Sequence, residues 1–150
     1  MIATFNRSGI LFKYPKNWTL ALDASPDGAE GWTANIESPA TAFVVLSLRP
    51  EADSPVQLAD EALAALLSEY PDLEQLPVVV SVAGLPAVGY EVDFVTVDTT
   101  VECRILGVES PAGPLLILTQ VGDFDRSPNA DVLDAVLVSM TFVEEVSAYE

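Results

Sequence analysis

Met1-Ile2-Ala3-Thr4-Phe5-Asn6-Arg7-Ser8-Gly9-Ile10-Leu11-Phe12-Lys13-Tyr14-Pro15-Lys16-Asn17-Trp18 opens the chain, and its reading decides the fold. Met1 to Phe5 reads as a short strand, followed by a turn. Gly9 to Tyr14 reads as a second strand that Pro15 stops, because proline has no amide with which to extend a ladder. Trp18 then anchors a third strand. Phe5, Ile10, Phe12 and Trp18 are expected core anchors. Arg7, Lys13 and Lys16 make this the one basic, acid-free stretch of the chain.

Working outward, strands dominate. Trp18 to Leu22 reads as a strand, and a polar loop runs through Ser25-Pro26-Asp27-Gly28. Trp32 to Glu37 and Ala42 to Leu48 form a predicted hairpin turning at Ser38–Thr41. Ser54, Pro55 and Gln57 announce a helix by cap, first-turn proline and capping box. Its apolar stripe is Val56, Ala59, Leu63, Leu66, Leu67 and Tyr70, and Pro71 ends it. Val78 to Val82 is the next strand, with a tight turn at Gly84-Leu85-Pro86. Val88–Val97 and Thr100–Val108 alternate apolar and charged residues. A turn at Asp98-Thr99 would set Phe94 against Cys103, Val92 against Ile105 and Asp93 against Arg104. Ser110 to Pro114 turns the chain into a buried strand, Leu115–Val121. A polar loop from Gly122 to Pro128 precedes a second helix, Asn129–Met140. Its expected inner face is Val132, Leu133, Val136, Leu137 and Met140. Thr141–Val143 closes the fold, and residues 144–150 are expected to fray.

At 150 residues the chain is one domain, 1–150, and half of it is hydrophobic. No apolar run reaches the roughly 18 residues that span a bilayer. No basic-then-apolar leader opens it, and the lone Cys103 has no partner for a disulfide, so a cytoplasmic setting is expected. The formal charge is −17, and residues 17–150 carry three bases against 23 acids, a balance of −20. Such a body repels phosphate backbones and anionic lipid, so neither nucleic acid nor membrane insertion is expected. The acids solubilise a hydrophobic domain, or they form a docking face for a basic protein.

Familiar catalytic arrangements are hard to build. The chain has no histidine, which excludes Ser-His-Asp and Cys-His arrangements and histidine-ligated metals. No phosphate-cradling glycine motif occurs. Cys103 falls on an apolar strand face, as a packed small hydrophobe would. One constellation imitates a calcium loop: Asp123, Asp125, Ser127, Asn129 and Asp131 place oxygen at alternate positions, with Asp134 beyond. Asp123, Asp125 and Asp131 are therefore the candidate metal ligands. Against this reading, Pro128 replaces the loop glycine, Asp134 replaces the long glutamate, and the preceding segment is a strand. The competing reading makes Asp125 or Ser127 a helix cap, with Asp131 complementing the helix N-terminus. A glycosidase-like carboxylate pair such as Glu91 and Asp93 is a third option, but a solvated sheet face with one of the two paired to Arg104 explains them better. Phe124 and Leu85-Pro86 are either exposed apolar contacts or small satellite clusters.

Phe5, Gly9-Ile10-Leu11-Phe12-x-Tyr14-Pro15-x-x-Trp18, Val82-Ala83-Gly84-Leu85-Pro86-Ala87 and the order of strands and helices together resemble the PsbP-like superfamily. That group includes an extrinsic photosystem II subunit, a Ran-GTPase release factor and bacterial DcrB-like proteins. The resemblance implies an α+β fold, an antiparallel sheet flanked by helices in an α/β/α sandwich. It also implies a non-enzymatic binding, adaptor or chaperone-like role without cofactor or catalytic residues. The expected partner is another protein, with a calcium or small-ligand module at Asp123–Asp134 as the alternative and a carboxylate hydrolase behind it.

Overall fold

The computed structural model describes residues 1–24, 31–97 and 99–143. The loop expected at Ser25–Gly28, the turn residue Asp98 and the tail 144–150 lie outside the described residues, as do the side chains of Asp125, Arg126 and Ser127. β1 (Ile2–Arg7) and β2 (Ile10–Pro15) pair antiparallel, with Phe5 opposite Phe12. Ser8 and Gly9 connect them at φ 55° and 78°. Two consecutive positive φ values are what a type I′ turn requires. Glycine is needed for a second reason, since a Cβ at Gly9 would run into the backbone of Val143.

The remaining strands are β3 (Thr19–Ala24), β4 (Trp32–Glu37), β5 (Phe43–Leu48), β6 (Glu74–Val82), β7 (Leu85–Val95), β8 (Thr100–Ser110), β9 (Gly113–Gly122) and β10 (Thr141–Phe142). Helix α1 spans Pro55–Glu69 and α2 spans Arg126–Val138. β3 to β9 form one seven-stranded antiparallel sheet in the order β3-β4-β5-β9-β8-β7-β6, while β10 joins β2 in a separate three-stranded sheet. The class is α+β, built on two sheets. The expected single sheet gives way because β1 and β2 fold back over the large sheet instead of extending it.

Each face of the large sheet has its own core. On one, Ala59 and Leu63 of α1 meet Val92, Phe94, Val101, Cys103 and Ile105. On the other, the small sheet and α2 supply Phe5, Ile10, Phe12, Leu133, Val136 and Met140 against Trp32, Ile36, Leu46, Leu106 and Ile117. Trp18 joins this second core, so all four expected anchors of the opening segment are buried. The N-terminus of α1 is capped as read: Ser54 Oγ accepts the Gln57 amide at 3.1 Å. The Gln57 side chain reaches one residue further back than a capping box does, accepting the Asp53 amide at 2.8 Å. Leu58 is buried, and Val56, expected on the inner stripe, is exposed.

Several boundaries differ from the sequence reading, β6 for instance beginning at Glu74 and not at Val78. The β6–β7 turn is Ala83-Gly84, at φ 53° and 78°, and Leu85-Pro86 already belongs to β7. α2 begins at Arg126, after a 3-10 turn at Asp123–Asp125, so the expected polar loop is mostly helical. The β7–β8 register is shifted by two residues, with Val92 opposite Cys103, Phe94 opposite Val101 and Glu91 opposite Arg104. The connection is a longer loop, in which the Thr96 amide donates to the Thr99 carbonyl at 2.8 Å. A two-residue slip returns every side chain to its own face, so the apolar–charged alternation cannot detect it.

Ala83 carries the left-handed backbone without glycine's freedom, which costs about 1–2 kcal/mol. Ala83→Asn is expected to raise the melting temperature by about 2–4 °C, checked by calorimetry. Gly107 sits so close beneath Pro55 that a Cβ there would meet its carbonyl. Gly107→Val therefore lifts the start of α1 and is expected to destabilise by about 3 kcal/mol in denaturant unfolding.

Candidate functional site

Residues paired across neighbouring strands share a face, which allows the α1 side of the large sheet to be traced beyond the helix. α1 lies across β7, β8 and β9. From β9 the same face continues through Leu118 to Val45, Asn35 and Ala21, and through Leu116 to Ser47, Thr33 and Asp23. A third row runs from Gln120 to Phe43, Glu37 and Thr19. Phe43, Val45, Leu116 and Leu118 are half-buried, with no second helix above them among the described residues.

This surface is mixed in chemistry. The hydroxyls of Thr33 and Ser47 lie 3.1 Å apart. Asn35 Nδ2 donates to Glu37 Oε2 at 2.8 Å, while Asn35 Oδ1 is shielded from solvent with no hydrogen-bond partner. A shielded acceptor left unpaired costs roughly 1–3 kcal/mol. The face opens, beside α1, into a groove of about 520 Å³ whose lining includes Ser47, Leu116, Arg49, Glu51, Asp53 and Glu61. Three acids against one base give it a negative rim.

A second acidic feature lies on the opposite face. Glu74, Asp93 and Glu102 stand in register on β6, β7 and β8, a row of carboxylates at strand spacing. Beside it, Arg104 pairs with Glu91 at 3.0 Å and reaches Asp134 on α2 at 3.8 Å. The expected Asp93–Arg104 pair is therefore replaced by Glu91–Arg104. Asp93, left between two acids, gains repulsion instead.

The candidate calcium ligands are placed differently from a calcium loop. Asp123 is exposed in the 3-10 turn and Asp131 is exposed on α2. The Asp125 side chain lies outside the described residues. Helical residues advance by about 100° each, so Asn129 and Asp131 project from different sides of α2. Among the described residues, no group of three or more acids or cysteines is arranged to hold a metal ion. Phe124 is 79% exposed and Leu85 40%. Cys103 is buried, and burial pushes its thiol up to about 12. Asp60 accepts the Tyr90 hydroxyl at 2.7 Å and thereby raises the Tyr90 pKa.

The uncovered face was the feature missed in the sequence. Its signal was present: Thr33, Asn35 and Glu37 alternate with Trp32, Ala34 and Ile36, which marks one side of β4 as wet. The hairpin pattern of Ala42–Leu48 alone does not say which side Phe43 and Val45 share.

No protein-family model and no curated protein matches the sequence. Solved structures do share the fold. PA94 of Pseudomonas aeruginosa, of unknown function and described as a candidate regulator, aligns over 97% of this chain and 99% of its own, with TM-score 0.55 and 13% identity. A Bacteroides thetaiotaomicron protein aligns over 95% of this chain at TM-score 0.56 and 13% identity, and the chain spans 48% of that protein. LpqN of Mycobacterium tuberculosis, involved in cell envelope biogenesis, aligns over 95% of this chain and 91% of its own, at TM-score 0.51 and 12% identity. At these identities the likeness is one of fold. No helix among the described residues is long and apolar enough to cross a membrane.

Two outcomes follow from this geometry. Asp93→Asn removes like-charge contacts with Glu74 and Glu102, so its melting temperature is expected to rise by about 2 °C in low salt and to match wild type in high salt. The Cys103 thiol, with its folded pKa raised, supports folding below its unfolded value near 9.0 and loses that support as pH climbs toward about 12. A thiol reagent at pH 8 is accordingly expected to label the protein only after denaturant unfolding.

Proposed function

We propose that this protein is a binding domain of the PsbP-like kind, working in the cytoplasm, that recognises another protein through the uncovered β3–β5 face of its large sheet, next to the margin of α1 on β9. The observation that carries this is the apolar stripe of Phe43, Val45 and Leu118 beside a negatively rimmed groove. Apolar surface supplies affinity, and the rim of Glu51, Asp53 and Glu61, with Glu37 on the open face, selects for positive charge. The partner segment is therefore apolar on one side with cationic flanks. The roles are non-catalytic: the face holds no histidine, and the chain's one thiol is sealed beneath α1.

The test is a panel of synthetic peptides with apolar cores and lysine or arginine flanks, measured by fluorescence anisotropy. Binding is expected to weaken at least about tenfold in Val45→Asp and to fall with rising salt, while the circular dichroism spectrum stays unchanged. Absence of binding by any peptide, or binding indifferent to both the substitution and salt, would overturn the reading.

A further inference from the structure

Residues 75–90 contain no charged side chain, the longest such stretch in a chain of 29 charged residues. Yet this segment is not buried. It forms most of the β6–β7 hairpin, and β6 is the end strand of the large sheet. Val79 is 69% exposed and Leu76 60%. A neutral, apolar strand with an open edge is an unusual surface for a protein of net charge −17.

The hairpin geometry says which backbone groups are free. Val82 and Leu85 flank the two-residue Ala83-Gly84 turn, and residues in that position exchange both of their hydrogen bonds. Counting back by twos, Val80 and Val78 also bond to β7. Gln75, Pro77, Val79 and Ser81 turn their backbone groups outward. Pro77 offers a carbonyl there but no N–H. The usable edge is thus bounded by Pro77 at one end and by the turn at Ala83 at the other, and Val80 lies midway.

We propose that β6 pairs antiparallel with β6 of a second copy, about a two-fold axis at Val80, giving a dimer with one continuous sheet. This register sets Val79 opposite Ser81 of the second copy, and the reverse, making about four backbone hydrogen bonds. It sets Pro77 opposite Ala83, where the ladder has ended and no N–H is required. It also sets Leu76 opposite Gly84, whose Cβ position has nothing within 4 Å. An antiparallel edge is self-complementary by symmetry, and the missing donor falls at the single position where self-pairing does not use it. Two anionic copies meet where neither carries a charge, and screening over about 8 Å moderates the repulsion of the rest. The second copy is therefore favoured over a basic partner, which a neutral edge gives no means of selecting. The uncovered β3–β5 face lies at the far side of the sheet and stays free.

Sedimentation at micromolar concentrations is expected to give twice the monomer mass. Val79→Lys places like charges about the axis, and Ser81→Pro deletes an outward donor. Either is expected to yield a monomer with an unchanged circular dichroism spectrum. Val80→Cys is expected to oxidise to a covalent dimer, because residues facing each other at a non-hydrogen-bonded pair lie about 4.5 Å apart at Cα, within disulfide reach. Val79→Cys is not, its counterpart being about 7–8 Å away on the diagonal. Val45→Asp should leave the dimer intact, which separates this result from the fate of the peptide-binding face. A wild-type monomer, a dimer that survives both edge variants, equal cross-linking at 79 and 80, or open-ended growth with concentration would each overturn the proposal.

Discussion

The indole of Trp32 is the contact on which the two-sheet architecture depends. It sits in β4 with its ring against Phe5, centroids 5.4 Å apart, and Phe5 stacks on Phe12 at 4.8 Å. Its Nε1 donates to Ser8 Oγ at 2.9 Å. One residue of the large sheet thus holds both the apolar face of the small sheet and the turn that forms it. Ser8 can receive that bond because its positive φ belongs to the turn. Loss of the indole would remove a large aromatic contact and the donor that Ser8 Oγ accepts at once, detaching the layer to which β10 and α2 are joined. Ser139 at the end of α2 strengthens that join, its hydroxyl accepting the Lys13 amide at 2.9 Å.

Much of this was legible from local chemistry. The strand–turn–strand opening, the capped α1, the β4–β5 hairpin and the buried Cys103 each follow from a pattern confined to a few residues. What escaped was set by relations between distant segments. The alternation in β7 and β8 gave their faces correctly but could not count the loop between them. Arg104 consequently found Glu91 and not Asp93. The oxygen pattern from Asp123 onward is polar like a loop, yet Pro128 sits in the first turn of α2, where proline is tolerated. Separation of the opening strands into a second sheet had no local signal. It depends on β10, more than a hundred residues later, closing against Gly9.

Charge takes on a different meaning once the elements are placed. The deficit of bases is not spread evenly. Arg104 is shared between Glu91 and Asp134 and ties α2 to the sheet, whereas Glu74, Asp93 and Glu102 stand side by side on β6, β7 and β8. The groove beside α1 keeps three acids around Arg49. A fold with a large two-sided core can carry such repulsion, because each exposed like-charge pair is small beside apolar burial.

The uncovered face itself is a matter of width. A helix with its side chains is about 10–12 Å across, and strands lie about 4.8 Å apart, so one helix shelters two or three strands. The large sheet has seven, and α1 is its one helix on that side among the described residues. It lies on β7 to β9 because Gly107 admits the start of α1 against β8. Among the described residues, everything from β5 to β3 is then left without a cover, whatever side chains it carries. A chain indifferent to that exposure would place polar residues throughout. This one places Thr33, Asn35 and Glu37 on β4 but keeps Phe43 and Val45 on β5 and Leu118 on β9, next to the groove. The apolar residues are concentrated where the helix stops, and that distribution, more than the total of exposed carbon, marks the boundary of α1 as the place where a partner would continue the layer.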